Sequence, residues 1–234
     1  MCILVLSASL VPFHANAQER KVMNRPYIDT RVFHYGFLFG LHLQDIDIAN
    51  NGLVFDNEGG TECWYSDVPS YSPGFSVGVL GELRLNEYLS LRVIPTMHFG
   101  DKSIVWRDIN SGREVRQLMK STYVTVPVDL KLSAPRFNNY RPYIMTGVSP
   151  TLDLTVKEGR EMLVHRTDIM FEVGMGMDLY FRYFKLIPEL KFCFGLTDIL
   201  EKDRTDLKDA SLLKYSESMN GAHNRMIALT FYFE

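Results

Sequence analysis

From Phe33 the odd positions read Phe33, Tyr35, Phe37, Phe39, Leu41 and Leu43, and the even ones His34, Gly36, Leu38, Gly40, His42 and Gln44. One face is aromatic and aliphatic; the other is small or polar. Period two over this length predicts a long β-strand. The pattern returns in Phe75, Val77, Val79, Leu83 and Leu85 against Ser76, Gly78, Glu82 and Arg84. A third segment sets Leu89, Leu91, Val93, Met97 and Phe99 against Ser90, Arg92, Thr96 and His98. A fourth puts Val124 to Leu132 opposite Thr125, Asp129 and Lys131, and a fifth, less regular, runs from Tyr140 to Leu154. The sixth, Ile169 to Phe181, alternates with Asp168, Glu172, Gly174, Gly176 and Asp178. The seventh, Leu186 to Leu196, alternates with Lys185, Glu189, Lys191 and Gly195, and the eighth carries Ile227, Leu229, Phe231 and Phe233 on one side.

The connections set the topology. Asn86-Glu87, Ala134 to Asn139 and Arg182-Tyr183 are short; Asp45 to Pro73, Asp101 to Lys120, Thr155 to Arg166 and Asp198 to Asn224 are long. Strict short–long alternation is the habit of outer-membrane barrels, with turns in the periplasm and loops outside. The fold expected is all-β: a transmembrane antiparallel up-and-down barrel of about eight strands over residues 32–234. Mean hydropathy of -0.07 reads as an ordinary soluble protein, but lipid-facing and lumen-facing residues cancel in any such average. A soluble lipocalin-like barrel alternates as well. It would bury the apolar face around a ligand cavity, whereas here the opposite face mixes balanced charges with glycines, the make-up of a lumen plug, and the apolar face is richer in aromatics than a soluble barrel favours.

Five prolines, Pro95, Pro127, Pro142, Pro150 and Pro188, fall inside these segments. Each removes a ladder donor in a barrel that has no free edge, so bulges near the strand ends are expected.

Met1 to Ala17 reads as a signal peptide, with an apolar core from Ile3 to Phe13 and an Ala15-Asn16-Ala17 cleavage site. No Lys or Arg precedes that core, which leads to the expectation of a start a few residues upstream. Residues 18–31 would form a periplasmic N-terminal segment. Net charge is -3 with no basic run, so nucleic acid is excluded as a partner class. Cys63 and Cys193 imply no disulfide framework.

The charged inward positions, Glu82, Arg84, Arg92, Asp129, Lys131, Glu172, Asp178, Glu189 and Lys191, interleave opposite signs. An eight-stranded lumen is just wide enough to be filled by side chains, so these residues predict a structural charge network that closes the barrel. His98 lies near Asp101 and Ser103 at the extracellular end of its segment and reads as a rim histidine, since a nucleophile, base and orienter are not marked. His34 and His42 sit about 26 Å apart on one face and cannot share a metal. No catalytic residue, cofactor or metal is expected. The loop from Asp45 to Pro73 holds Val54, Phe55, Trp64 and Tyr65, more apolar surface than solvation favours, and is the candidate partner-binding loop.

Five stretches carry a family resemblance: Phe33-His34-Tyr35-Gly36-Phe37, Tyr71-Ser72-Pro73-Gly74-Phe75, Asn139-Tyr140-Arg141-Pro142-Tyr143, Lys185-Leu186-Ile187-Pro188-Glu189-Leu190-Lys191-Phe192 and Leu229-Thr230-Phe231-Tyr232-Phe233-Glu234. With them the chain resembles the PorT family of Bacteroidota outer-membrane barrels. The Leu-Ile-Pro-Glu-Leu-Lys run is the more specific part, and Glu234 sets the terminal aromatic one residue back. The resemblance implies an accessory or assembly component of the type IX secretion system, linked to gliding motility and to secretion or maturation of exported proteases and adhesins. Its partners would be outer-membrane lipid and other secretion components. The alternatives are a barrel that hydrolyses lipid A or peptides, and a general small-solute barrel.

Overall fold

The computed structural model describes residues 22–52, 54–57, 60–67, 72–155, 163–201 and 218–234. The expected signal, Met1 to Ala17, lies outside the described residues. Twelve strands are described: β1 (Phe33–Asn50), β2 (Val54–Asn57), β3 (Gly60–Asp67), β4 (Ser72–Arg84), β5 (Leu89–Val93), β6 (Thr96–Asp108), β7 (Glu114–Thr125), β8 (Val128–Ser133), β9 (Tyr140–Asp153), β10 (Thr167–Tyr180), β11 (Lys185–Gly195) and β12 (Met219–Phe233). β5 and β6 are two halves of one wall strand interrupted at Ile94-Pro95, and β7 and β8 are halves of another interrupted at Val126-Pro127. Counted so, eight antiparallel strands follow one another round the ring, and β1 closes it by pairing with β12, Phe37 against Phe233 through Ala49 against Gly221.

The prolines cause no bulges. Gly81 pairs with Val93 and Gly78 with Thr96 in one unbroken register across Pro95, and Val93–Val128 and Thr96–Thr125 do the same across Pro127. The register shift that does occur lies at Ala49/Asn50. An antiparallel hydrogen-bonded pair exchanges two bonds; each proline keeps the one it accepts and forfeits the one it would donate. Pro95 O accepts from Val79 N at 3.0 Å, Pro127 O from Ile94 N at 3.1 Å, and Pro150 O from Val126 N at 3.1 Å. Side chains satisfy carbonyls left over. Thr96 Oγ1 donates to Ile94 O at 2.8 Å, opposite Pro127, and Arg141 Nε donates to Ala134 O at 2.7 Å, opposite Pro142.

The outward face is apolar from Phe33 to Leu43 on β1, with Tyr35 73% and Phe37 60% exposed. Eleven tilted residues span about 25 Å, the height of the apolar band of an outer-membrane barrel. Tyr35, Tyr88, Tyr140, Phe181 and Phe184 are exposed at the short-turn end, where an aromatic girdle belongs.

Above that band the pattern inverts. The expected loops 45–73 and 101–120 are largely strand: β1 runs on to Asn50, β2 and β3 form a hairpin, and β6 and β7 join through a turn at residues 109–113. Outward positions turn polar, as at Asp47, Arg107, Glu114 and Arg225, while Ile46, Trp64, Ile104, Trp106, Ile199, Leu200, Met219 and Ala222 form a buried core inside the mouth. Water surrounds the wall here, so the ordinary rule of apolar inside applies again. At the tip, Asp108 accepts from Cys63 N at 2.9 Å, from Asn110 N at 3.2 Å and from Ser111 N and Oγ. The Ser111 hydroxyl, then the Cys63 N–H, hold its carboxyl at about 2.

Candidate functional site

Strand alternation turns every second residue into the lumen, and side chains fill it in layers. At the middle of the lower half, Arg92 from β5 donates through Nε to Glu82 of β4 at 2.9 Å and through Nη1 to Glu189 of β11 at 2.7 Å. Glu189 also accepts from Tyr143 at 2.6 Å and Tyr232 at 2.7 Å. The guanidinium lies over both rings, 4.7 and 5.4 Å from their centroids. Below, Lys131 donates to both oxygens of Asp178 at 2.9 Å and approaches Glu82 at 3.5 Å. Above, Lys191 sits between Glu172 at 2.7 Å and Asp129 at 3.3 Å. Gly147 leaves the room that the Asp129 carboxylate occupies, since a Cβ there would meet Asp129 Oδ1.

Of the expected charge set, Glu82, Arg92, Asp129, Lys131, Glu172, Asp178, Glu189 and Lys191 are therefore brought together, each buried. Arg84 is not among them. It occupies the last inward position of β4, is half-exposed, and donates to Asn86 O and Asp29 O at the mouth. Tyr143, Tyr232, Lys185 and Glu234 complete the network. Both tyrosines stand at inward positions of β9 and β12; Tyr232, whose place near the periplasmic turns reads from the sequence as a girdle position, is instead buried in the lumen. Ion pairs this deep are stable when all their remaining lone pairs and protons are served, and the tyrosine hydroxyls do part of that.

The next layer up is built of histidine, serine, threonine and glutamine. His42 Nδ1 and His98 Nδ1 both lie 2.8 Å from Ser76 Oγ, His98 Nε2 lies 3.2 Å from Thr125 Oγ1, and Gln44 Nε2 lies 2.9 Å from His42 Nε2. His98 is thus not a rim residue: the wall continues to Asp108, and the ring is 7% exposed. Its partners are Ser76 and Thr125 rather than the neighbouring Asp101 and Ser103. A serine between two imidazoles has the donors and acceptors of a nucleophile and base, but Ser76 is 2% exposed and, among the described residues, neither imidazole is hydrogen-bonded to a carboxylate. Among the described residues no cluster of three or more His, Cys, Asp or Glu fits a metal ion, and Cys63 and Cys193 are both free thiols.

Higher still, Lys102 donates to Asn224 Oδ1 at 2.8 Å and lies 4.6 Å from the Tyr123 centroid, while Asn224 Nδ2 donates to Asp168 at 2.7 Å. The core containing Trp64 and Trp106 covers this layer. At the opposite end residues 22–32 cross the mouth. Asn24 bonds Asn139 Oδ1 and Tyr180 O at 2.8 and 3.0 Å, Asp29 accepts from Tyr180 Oη at 2.7 Å, and Arg136 reaches Asp29 at 3.1 Å. Among the described residues, cavities between layers measure about 20 Å³ beside His98 and Lys191, about 20 Å³ beside Lys102 and Asn224 and about 10 Å³ at the lower mouth. Those are the sizes of single waters.

The expected partner loop fares differently. Trp64 is 2% exposed and belongs to the mouth core, so it offers no surface. Tyr65, one residue on, points out and is 41% exposed. Val54 and Phe55 lie in β2, and their side chains fall outside the described residues.

A family model described as "Outer membrane protein beta-barrel domain" matches residues 16–201. Among solved structures the chain is similar to OprG from Pseudomonas aeruginosa, at 11% identity and a TM-score of 0.48, over 85% of this chain and 93% of that one. Neisserial surface protein A aligns at 9% identity and a TM-score of 0.45, over 86% and 98%. AlkL in lipid bilayers aligns at 10% identity and a TM-score of 0.39, over 85% and 90%. No curated protein sequence matches the chain significantly.

Proposed function

The chain belongs to the outer membrane protein beta-barrel domain family, and from that premise we propose that it is a closed, non-conducting barrel that serves as a scaffold in type IX protein secretion. It resides in the outer membrane. The finer assignment, an accessory or assembly component needed to export proteases and adhesins, rests on the PorT-like stretches of the sequence.

One observation carries the scaffold reading: among the described residues the lumen is filled in layers, from the strap at residues 22–32 up to the core containing Trp64 and Trp106. A strap, an ion-pair network, a histidine–serine layer and a tryptophan core succeed one another with water-sized gaps. Such a lumen passes neither a folded protein nor a solute, so the work falls to surfaces outside it. The proposal includes no catalysis. Hydrolysis would need a substrate at Ser76, and burial of that hydroxyl under the mouth core supports a structural role instead.

The experiment has two arms. Purified protein in planar bilayers is expected to give no stable conductance, and deletion of the gene in its host is expected to retain secreted cargo inside the cell. Reproducible channels would remove the scaffold reading, and normal export from the deletion strain would remove the secretion assignment.

A further inference from the structure

Among the described residues the short-turn end carries six arginines, Arg25, Arg31, Arg84, Arg136, Arg141 and Arg182. The carboxylates beside them are Asp29, already paired with Arg136, and Glu87; Glu234 is taken by His34 and Lys185, and Glu82 and Asp178, which line the same mouth cavity, by Arg92, Lys131 and Lys185. The opposite end also carries cations, Arg113, Arg116, Lys120 and Arg166 among them, but its described carboxylates outnumber them, and Arg107 is paired to Glu114 and Arg225 to Asp47. Positive charge is therefore concentrated on the periplasmic face.

Its placement discriminates between two occupants. Anionic headgroups lie round the perimeter of a barrel, and a surface made for them would turn its guanidinia outward. Here Arg136 lies 3.6 Å from the Tyr180 centroid under the strap. Arg84 and Arg141 line the mouth cavity and brace the carbonyls of Asn86, Asp29, Ala134 and Glu87. The charge thus stands over the barrel axis. Exposed Arg31 and Arg182 extend it, and their guanidinia make no hydrogen bond or ion pair among the described residues. On the strap and the two turns that carry these arginines, Tyr27, Phe137 and Tyr183 are 79%, 63% and 84% exposed. Arginine with aromatic side chains is the composition of protein interfaces, and a like-signed patch selects and steers a partner of the opposite sign.

We infer that this strap-and-turn platform docks an acidic, apolar-interrupted segment of a periplasmic protein. The inference rests on the scaffold reading and says where the scaffold is engaged.

The test uses the full barrel in phosphatidylcholine nanodiscs, with a fluorescent peptide of alternating Glu and Leu as the probe. Binding at about 50 mM salt, weakened at high salt, is expected. Arg31→Glu with Arg182→Glu should weaken it by roughly tenfold or more, while Arg113→Glu with Arg116→Glu at the other end should leave it unchanged. A Glu–Ser peptide of equal charge should bind less tightly, and Tyr183→Ser should erase that difference. Equal losses from variants at both ends, or no binding of the Glu–Leu peptide, would overturn the inference. So would retention of added phosphatidylglycerol, in native mass spectra, by a wild-type barrel that ignores the peptide; that result assigns the face to the membrane. If Arg31→Glu/Arg182→Glu loses the peptide yet cargo still leaves the cell, the docking site stands and the secretion assignment falls.

Discussion

Glu234 Oε1 lies 2.5 Å from His34 Nδ1, so the end of β12 is tied across the barrel seam to the start of β1. The same carboxylate takes Lys185 at 2.9 Å, and the backbones of Lys185 and Glu234 exchange hydrogen bonds of 2.8 and 3.0 Å. Burial raises the Glu234 carboxyl, but the His34 hydrogen bond and the Lys185 charge outweigh it and hold the group at about 2. The unfolded value is about 4.3. A depressed folded pKa means stabilisation that is full above the unfolded value and lost as pH falls through the folded one. Glu234→Gln is therefore expected to lower the heat-unfolding temperature by the same margin at pH 6 and pH 8. The margin should shrink below pH 4 and vanish near pH 2. Gel shift of heated against unheated samples measures it, and a constant margin down to pH 2 would contradict the account.

Arg92 is a second fastening with a different signature. Its guanidinium is fully buried and serves Glu82 and Glu189 from neighbouring and opposite walls. Arg92→Met leaves those carboxylates without their principal cation and is expected to cost about 3–5 kcal/mol. Adding Glu189→Gln to Arg92→Met should restore part of the loss, because one uncompensated charge is then gone. Urea titrations of the single and double variants form a double-mutant cycle. Strict additivity would show that the two groups do not act as a pair.

The membrane-embedded part of this fold was readable because the sorting force there is simple. Lipid outside and a packed polar lumen inside enforce period two, so Phe37, Phe39 and Leu41 against Gly36, Gly40 and His42 specify a strand and its facing at once. Arg92, Lys131 and Glu189 were identified by the same parity. Beyond Leu43 the outside is water, the inside becomes Ile46, Trp64 and Trp106, and the hydrophobic sign reverses. Read with the lipid rule, those strands look like loops, and Trp64 looks exposed. His98 was displaced to a rim for the same reason, since the wall above it went unseen. Pro95 and Pro127 suggested bulges because the pattern of residues does not reveal which carbonyl a threonine or arginine can serve.

The reversal can be tested at two adjacent residues. Trp64 is inside the mouth core and Tyr65 outside it. Trp64→Ala should destabilise the extracellular part by about 3–5 kcal/mol, exposing the β2–β3 and β6–β7 hairpins to added protease while the membrane band still shifts on heating. Tyr65→Ser should change stability by no more than about 0.5 kcal/mol. If the two variants behave alike, Trp64 is not a core residue.

Ser76 decides between a structural and a chemical reading of the histidine layer. Its hydroxyl serves both His42 Nδ1 and His98 Nδ1 at 2.8 Å. One hydroxyl donates a single proton, so at least one imidazole must donate to it, and the layer holds one mutually consistent set of tautomers. Ser76→Ala removes that partner from two buried rings and should cost about 1–3 kcal/mol. His98→Ala should cost a similar amount, and the double variant should cost less than the sum, because the two share a bond. Neither variant should change the export of cargo or the composition of lipid A once barrel levels are matched. A scaffold tolerates a loosened interior as long as its wall and outer surfaces persist. A hydrolase would instead lose all activity in either single variant, with the double no worse, while its melting temperature stayed near wild type. Loss of export or of a lipid A modification in Ser76→Ala barrels that still melt like wild type would therefore end the structural reading and place chemistry at this serine.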